Sequence, residues 1–209
     1  MESLTLTGNP DCVNPGFDCP PDNPLQLLKE WLNSADLLKI VEPRGLVLST
    51  IDECGRPSSR VVLMKTVDDT GVIFASSETS QKGRDLEKNP IIAGTLWWRE
   101  TMQQINFCGS AAKLPAIASD EIFRDRTPKA QAVATFSQQS CPMFDEKKLR
   151  ETIEKCVDES GEITRPETWH GYHITLESIE FWHGSRDRFH NRLRYDLVNG
   201  NWQYQKLQP

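Results

Sequence analysis

Basic residues crowd one short stretch near the end of this 209-residue chain. In RFHNRLRY, the two-residue period of a strand puts Arg188, His190, Arg192 and Arg194 on one face and Phe189, Leu193 and Tyr195 on the other. Four cations side by side repel one another unless something anionic or carbonyl-rich neutralises them, so the face either holds a ligand or is solvated with Asp187 and Asp196 as counter-ions. A second segment, PSSRVVLMK, brackets an apolar run with Arg60 and Lys65. Their opposite parity sends them to opposite faces at opposite ends of one strand, as ligand contacts or as charges guarding a core strand. In TSQKGRDL, Ser80, Lys82 and Arg84 stand at a helix start, where free N–H groups and the helix dipole favour an anion such as phosphate. LWWRETMQQI sets Trp97 and Trp98 beside Gln103 and Gln104, able to wall a planar ring or to fill a barrel. No dinucleotide fingerprint, P-loop, zinc-protease or serine-hydrolase motif is present, and His170, His173, His183 and His190 show no metal-ligand spacing.

The elements that must position these residues follow from periodicity and punctuation. Residues 1–22 carry Gly8, Pro10, Pro15, Gly16, Pro20 and Pro21 without an apolar period, which predicts an irregular, flexible N-terminal arm unless it docks. Asn23, Pro24 and Gln26 read as N-cap, first helical proline and capping-box partner. The helix they open runs some fifteen residues, with Leu25, Leu28, Leu32 and Ala35 on one face. GLVLSTI, PSSRVVLMKT and GVIFASS then predict a three-strand meander. A short helix from Ser80 stopped by Pro90 precedes two strands, IIAGTLWWRE and MQQINFCGSAAKL, joined near Glu100. Residues 118–158 read as helical, including DEKKLRETIEKCVD with Leu149, Ile153 and Cys156 or Val157 inward. Strands return in GYHITLESIEFWHG, RFHNRLRYDL and, after the NGN turn, WQYQKLQP. Seven or eight strands with helical additions predict one antiparallel barrel domain over 23–209.

Composition limits the function classes. Hydrophobic residues are 37% and charged ones 26%, enough for a real core, and a net charge of -6 disfavours nucleic acid and anionic membranes. No signal-like or membrane-spanning stretch is seen, which predicts a cytoplasmic protein whose six cysteines stay reduced.

Taken in order, RVVLMK, SQKG, WWRETMQQ, SQQS, EFW and RFHNRLRY, with Leu207 to Pro209 at the chain end, resemble the pyridoxamine 5′-phosphate oxidase family of FMN-binding split β-barrels. The resemblance runs from Asn23 to Pro209 and implies a mainly β fold with peripheral helices, an FMN cofactor and a homodimer with FMN at the subunit interface. It implies Arg60 and Lys82 as FMN phosphate ligands, with Gln139 and Ser140 beside them. Val61, Val62 and Leu63 would pass along the flavin ring, with Gln104 on its polar edge. Met64, Lys65, Ala75, Ser76 and Gln81 fall within the same cofactor surroundings. Trp182 and Arg192 would reach the flavin from the second subunit, and Arg188 and His190 would face the substrate as catalytic residues.

Departures from the family pattern narrow the substrate. Gln81 stands where the family has an arginine, and Ala75 and Ser76 stand where it often has tyrosine and threonine. In EIFRDRTPKAQA, where the vitamin oxidase holds its substrate's phosphate with a tyrosine, an arginine and a serine, only Arg126 remains, beside Ile122 and Ala130. The arm carries Asp11, Asp18 and Asp22 and no lysine or arginine. Each lost charge-assisted bond to a phosphate is worth roughly 1.5–3 kcal/mol. SQKGRDLEKNP, LWWRETMQQI and RLRYD are similar to the phenazine-biosynthesis flavin oxidases. That similarity implies oxidation of a reduced aromatic carboxylate with dioxygen as acceptor, held by Lys65, Arg126, Arg188 and His190. The alternative is the vitamin phosphate oxidase itself.

Overall fold

Hydrophobic alternation through the middle of the chain resolves into one antiparallel sheet. The computed structural model describes residues 6–159 and 161–209, which form nine strands and five α-helices. The strands are β1 (Gly45–Ile51), β2 (Pro57–Leu63), β3 (Thr66–Val67), β4 (Gly71–Ser77), β5 (Ile91–Trp98), β6 (Gln103–Lys113), β7 (Trp169–His183), β8 (Asn191–Val198) and β9 (Asn201–Leu207). Their order is β2-β1-β5-β6-β7-β4-β3, with β8 added to β7 and β9 to β8. The long strand β7 is the branch point. Its first half pairs with β4 and its second half with β8, while β6 runs along both. A register shift at Cys108/Gly109 separates the halves, and such a bulge bends a strand and raises its twist. The barrel is therefore split rather than closed.

The expected three-strand meander does not form. β2 pairs with β1, whereas β4 pairs with β3 and β7. The chain turns out of β2 at Met64, which is 1% exposed and donates its N–H to the Arg44 carbonyl at 3.0 Å, and Lys65 N–H then bonds the Ile73 carbonyl at 2.7 Å. That turn also overturns the parity argument for Arg60 and Lys65, because one continuous strand through both does not exist. Nor is β2 a core strand: it lies at the sheet edge with Val61 67% and Leu63 56% exposed. The gap between β2 and β4 is the opening of the split barrel.

Helix α1 (Pro24–Leu37) packs its predicted face inward, with Leu25, Leu28, Leu32 and Ala35 all buried and Trp31 among them. A fully buried leucine contributes roughly 1.5–3 kcal/mol. Asn23 Oδ1 accepts from Leu25 N–H at 2.9 Å, while the Gln26 side chain turns to Glu30, so only half of the predicted capping box is made. Residues 6–22 lie on the barrel: Phe17 stacks on Trp31 at 5.9 Å, Trp31 Nε1 donates to the Pro15 carbonyl, and Tyr195 donates its hydroxyl proton to the Pro21 carbonyl. Helices α2 (Gln81–Lys88), α3 (Ala116–Arg124), α4 (Pro128–Phe136) and α5 (Glu146–Asp158) are peripheral, and α5 turns Ile153 inward as expected. Among the described residues no helix is long and apolar enough to cross a membrane.

Candidate functional site

The start of α2 builds a cationic cradle. Ser80 caps it, its hydroxyl accepting from Gly83 N–H at 3.2 Å. Glycine is required at 83, since a Cβ there would lie 2.4 Å from the Glu78 carbonyl oxygen. Lys82 consequently turns inward and is 6% exposed. Its ammonium donates to Ser76 Oγ at 3.0 Å, Ser80 Oγ at 3.2 Å and Gln139 Oε1 at 3.3 Å, all neutral oxygens. Burial first, and the Arg60 guanidinium second, push the lysine pKa down to about 8 against an opposing pull from Asp85.

Arg60 donates to Thr50 Oγ1 at 2.7 Å and Ser58 Oγ at 2.6 Å, with buried Asp85 3.9 Å away. Burial lowers its pKa, and Asp85 partly offsets this. Gln81 N–H donates to Ser140 Oγ at 3.2 Å, tying the 139–140 loop to the helix start. A buried lysine and a half-buried arginine ringed by hydroxyls and an amide are donor chemistry for a dianionic phosphate, so the residues present fit the phosphate end of FMN.

The cradle opens into a cavity of about 900 Å³ in the split between β2 and β4. Its floor is Arg60, Val61, Val62 and Leu63 from β2 with Ala75 and Ser76 from β4. Lys65 lines it too, 4.0 Å from Asp125, so both charges of the PSSRVVLMK segment reach one cavity. The opposite wall comes from the α3–α4 connection and α4, with Arg126, Ala130, Val133 and Ala134. Arg126 donates to the Ala130 carbonyl at 2.9 Å and holds its guanidinium 5.1 Å from the Trp169 ring centroid. Among the described residues its buried Nε has no partner, and burial lowers its pKa. Ile122 does not line the cavity; it packs against Gly171, where an added Cβ would meet its Cδ1 at 2.8 Å.

A second cluster lies elsewhere on the chain. Trp97, Gln104, Trp182 and Arg192 sit in register across β5, β6, β7 and β8 on the outer face of the sheet, the two tryptophan rings 6.1 Å apart. Trp98, of opposite parity, is 2% exposed and fills the barrel, whereas Trp97 is 38% exposed on the outer face. Strand β8 begins only at Asn191, and Arg188 and His190 belong to the loop before it. The predicted four-cation face is therefore not formed, and Phe189 is 70% exposed rather than packed with Leu193 and Tyr195. Arg192 pairs with Glu180 through bonds of 2.8 and 3.1 Å, and Arg194 with Asp196 at 2.8 Å. His190 Nδ1 accepts Ser185 N–H at 3.0 Å and its ring lies 4.7 Å from that of Trp182.

Within one chain the structure thus gathers Arg60, Val61, Val62, Leu63, Lys65, Ala75, Ser76, Gln81, Lys82, Arg126, Gln139 and Ser140 around the cavity. It leaves Gln104, Trp182, Arg188, His190 and Arg192 outside it, and puts the Met64 side chain in the core. Sequence reasoning missed Ser58, Asp85 and Trp169. Ser58 shares the face of Arg60 two residues on, and Asp85 is one helical turn from Lys82, so both carried a positional signal. Trp169 precedes the strand pattern and carried none.

Residues 34–157 match the family described as pyridoxamine 5′-phosphate oxidase, and residues 169–209 match the pyridoxine 5′-phosphate oxidase C-terminal dimerisation region. The chain is 40% identical over 207 residues to a dihydrophenazinedicarboxylate synthase of Pseudomonas chlororaphis, covering 99% of this chain and 93% of that protein. It is 38% identical over 189 residues to a pyridoxine/pyridoxamine 5′-phosphate oxidase of Mannheimia succiniciproducens, covering 90% of each. Among solved structures, PhzG from Burkholderia lata in complex with tetrahydrophenazine-1-carboxylic acid superposes with a TM-score of 0.93 at 38% identity, covering 97% of this chain and 100% of that one.

Proposed function

Because the chain belongs to the pyridoxamine 5′-phosphate oxidase family, we propose that it is an FMN-dependent oxidase of phenazine biosynthesis acting on reduced phenazine carboxylates. Overall identity does not separate this reading from vitamin phosphate oxidation, since 40% and 38% are nearly equal. The observation that carries it is the α3–α4 wall. Arg126 is its one inward cation among the described residues, Ala130 offers a methyl group, and Ile122 faces Gly171. Such a wall pairs a single carboxylate beside a flat ring and does not cage a dianion.

Bound FMN supplies the ring that accepts a hydride and is reoxidised by dioxygen with release of hydrogen peroxide. Lys82 and Arg60 would hold its phosphate, and the exposed edge of β2, which lines the cavity, would pass along its ring. Arg126 and Lys65, which both line the cavity, take the substrate carboxylate. In the proposed homodimer the partner chain brings a second copy of the Arg188–His190 loop and the Trp182 face. The Ser185 N–H occupies His190 Nδ1, so the neutral ring carries its proton on Nε2 and presents a donor. In that form His190 orients the substrate rather than removing a proton from it.

Anaerobic mixing of the flavin-loaded protein with tetrahydrophenazine-1-carboxylic acid and, separately, with pyridoxine 5′-phosphate tests the assignment. Bleaching of flavin absorbance by the phenazine alone, with colour and hydrogen peroxide returning in air, is expected. Bleaching by the vitamin alone would return the chain to the vitamin oxidases, and protein that retains no flavin would remove the cofactor assignment.

A further inference from the structure

The loop that carries Arg188 and His190 has little reason of its own to stay in place. Arg186, Asp187, Arg188 and Phe189 are all exposed, and Arg188 adopts a left-handed backbone at φ 70°, a conformation that persists only where the surroundings enforce it. Inside the loop, Asp187 accepts from Phe189 N–H at 2.8 Å and from the Ser185 hydroxyl. Those bonds shape the turn without fixing where it sits on the barrel.

The fixing contacts come from the far end of the chain. At the loop's base, His183 is buried and its Nε2 donates to the Pro10 carbonyl at 3.1 Å. Further out, Arg186 donates to Asp11 Oδ2 at 3.2 Å and to Asn9 Oδ1 at 3.3 Å. The arm is itself wedged against the β5–β6 turn: Asn9 N–H donates to the Glu100 carbonyl at 2.8 Å, and a Cβ on Gly8 would lie 2.0 Å from the Arg99 carbonyl oxygen. The same turn holds the loop directly, Gly184 N–H donating to the Met102 carbonyl at 2.8 Å.

We infer that residues Gly8–Asp11 are a brace that sets the position of the 184–190 loop, making His183 and Arg186 positioning residues for Arg188 and His190. The acidic character of the arm then has a use. An arm bearing Asp11 and no basic residue is unsuited to closing over an anionic substrate, whereas it is suited to gripping Arg186. The outermost pair is weak, both partners being more than two-thirds exposed, so the contact of buried Pro10 with buried His183 and the close seating of half-buried Gly8 carry most of the effect.

The inference that bracing serves catalysis rests on the proposed oxidase reading, so the test has one readout that does not. Full-length Gly8→Val, which cannot seat against Arg99, is compared with wild type by hydrogen–deuterium exchange of the 184–190 amides and by steady-state kinetics with tetrahydrophenazine-1-carboxylic acid. Faster exchange in the loop is expected, with retained FMN unchanged and kcat/KM down roughly 10- to 100-fold, the cost of an ångström-scale misplacement. Arg186→Ala should show a smaller loss that Arg186→Lys restores, and it serves as the informative variant should Gly8→Val not fold. Unchanged loop exchange in both variants would overturn the brace, and faster exchange with full turnover would overturn its link to catalysis. A wild-type protein inert toward the phenazine would instead sink the oxidase reading while the exchange data still decided the brace.

Discussion

Lys82 is the side chain whose environment costs the empty protein most clearly. A lysine held at about 8 against an ordinary value near 10.5 binds fewer protons in the folded state than in the unfolded one between those two pH values. Stability of the flavin-free protein therefore rises with pH across that window, and at neutral pH the buried ammonium costs about 3 kcal/mol. A bound phosphate reverses the balance by favouring the charged form. FMN affinity should thus fall as pH rises above about 8, and a fluorescence titration from neutral pH to pH 9.5 or so would show it. Lys82→Arg should flatten the dependence, because a guanidinium stays charged throughout. A second expectation separates the roles within the site: Arg60→Ala and Lys82→Ala lose flavin on gel filtration, while Arg188→Ala keeps it and lowers turnover by roughly 10- to 100-fold. Equal flavin loss in all three would undo the division. The helix start with Ser80 and Lys82 was legible from local rules of capping, whereas Arg84 of the same segment turns to the Thr79 carbonyl and Arg60, Gln139 and Ser140 came only from the resemblance. Asp85 was overlooked although it lies one turn from Lys82, because its place beside Arg60 appears only in the folded structure.

Elements show where local rules stop. Helices α1 and α2 and the hairpin β5–β6 fall where caps, prolines and alternation put them, since each is specified within its own segment. The β2–β4 meander fails because pairing is decided by β7, about a hundred residues further along, which claims β4 and leaves β2 at an edge. RFHN reads as strand by parity, yet Asp187 captures Phe189 N–H and makes a turn, the competition that acidic side chains often win. The arm contacts, more distant still in sequence, yield a pH prediction at this scale. Burial holds His183 below its ordinary value, against smaller upward pulls from the Pro10 carbonyl and Asp11, and its buried Nδ1 has no partner among the described residues, so a second proton on the ring is unfavourable while the arm is docked. A released His183 gains a proton as pH falls through about 6.5, and the docked arm loses stability from there down to the depressed folded value. Protection of residues 8–12 from hydrogen exchange should therefore weaken between neutral pH and about pH 5 in wild type, and His183→Gln should remove that dependence. Protection that stayed flat in wild type would show that His183 does not control the arm.

At the scale of the whole molecule, the two clusters make sense only together. One holds a phosphate cradle and a cavity, the other an aromatic face and a loop with Arg188 and His190, and no single chain brings them into one site. The match of residues 169–209 to a dimerisation region suggests a homodimer, and in the site proposed above each cavity comes from one protomer and its loop from the other. Subunit complementation follows from that arrangement. Arg60→Ala and Arg188→Ala protomers, each strongly impaired alone, would on mixing and reassociation yield heterodimers in which both defects fall in the same site and the other site is intact. Random pairing makes half the dimers mixed, with half of their sites whole, so about one quarter of wild-type activity should return. A site complete within one protomer would return none, because every site would then keep one defect. Activity recovered in proportion to heterodimer formation, followed by mass, would show that the unit of function is the pair.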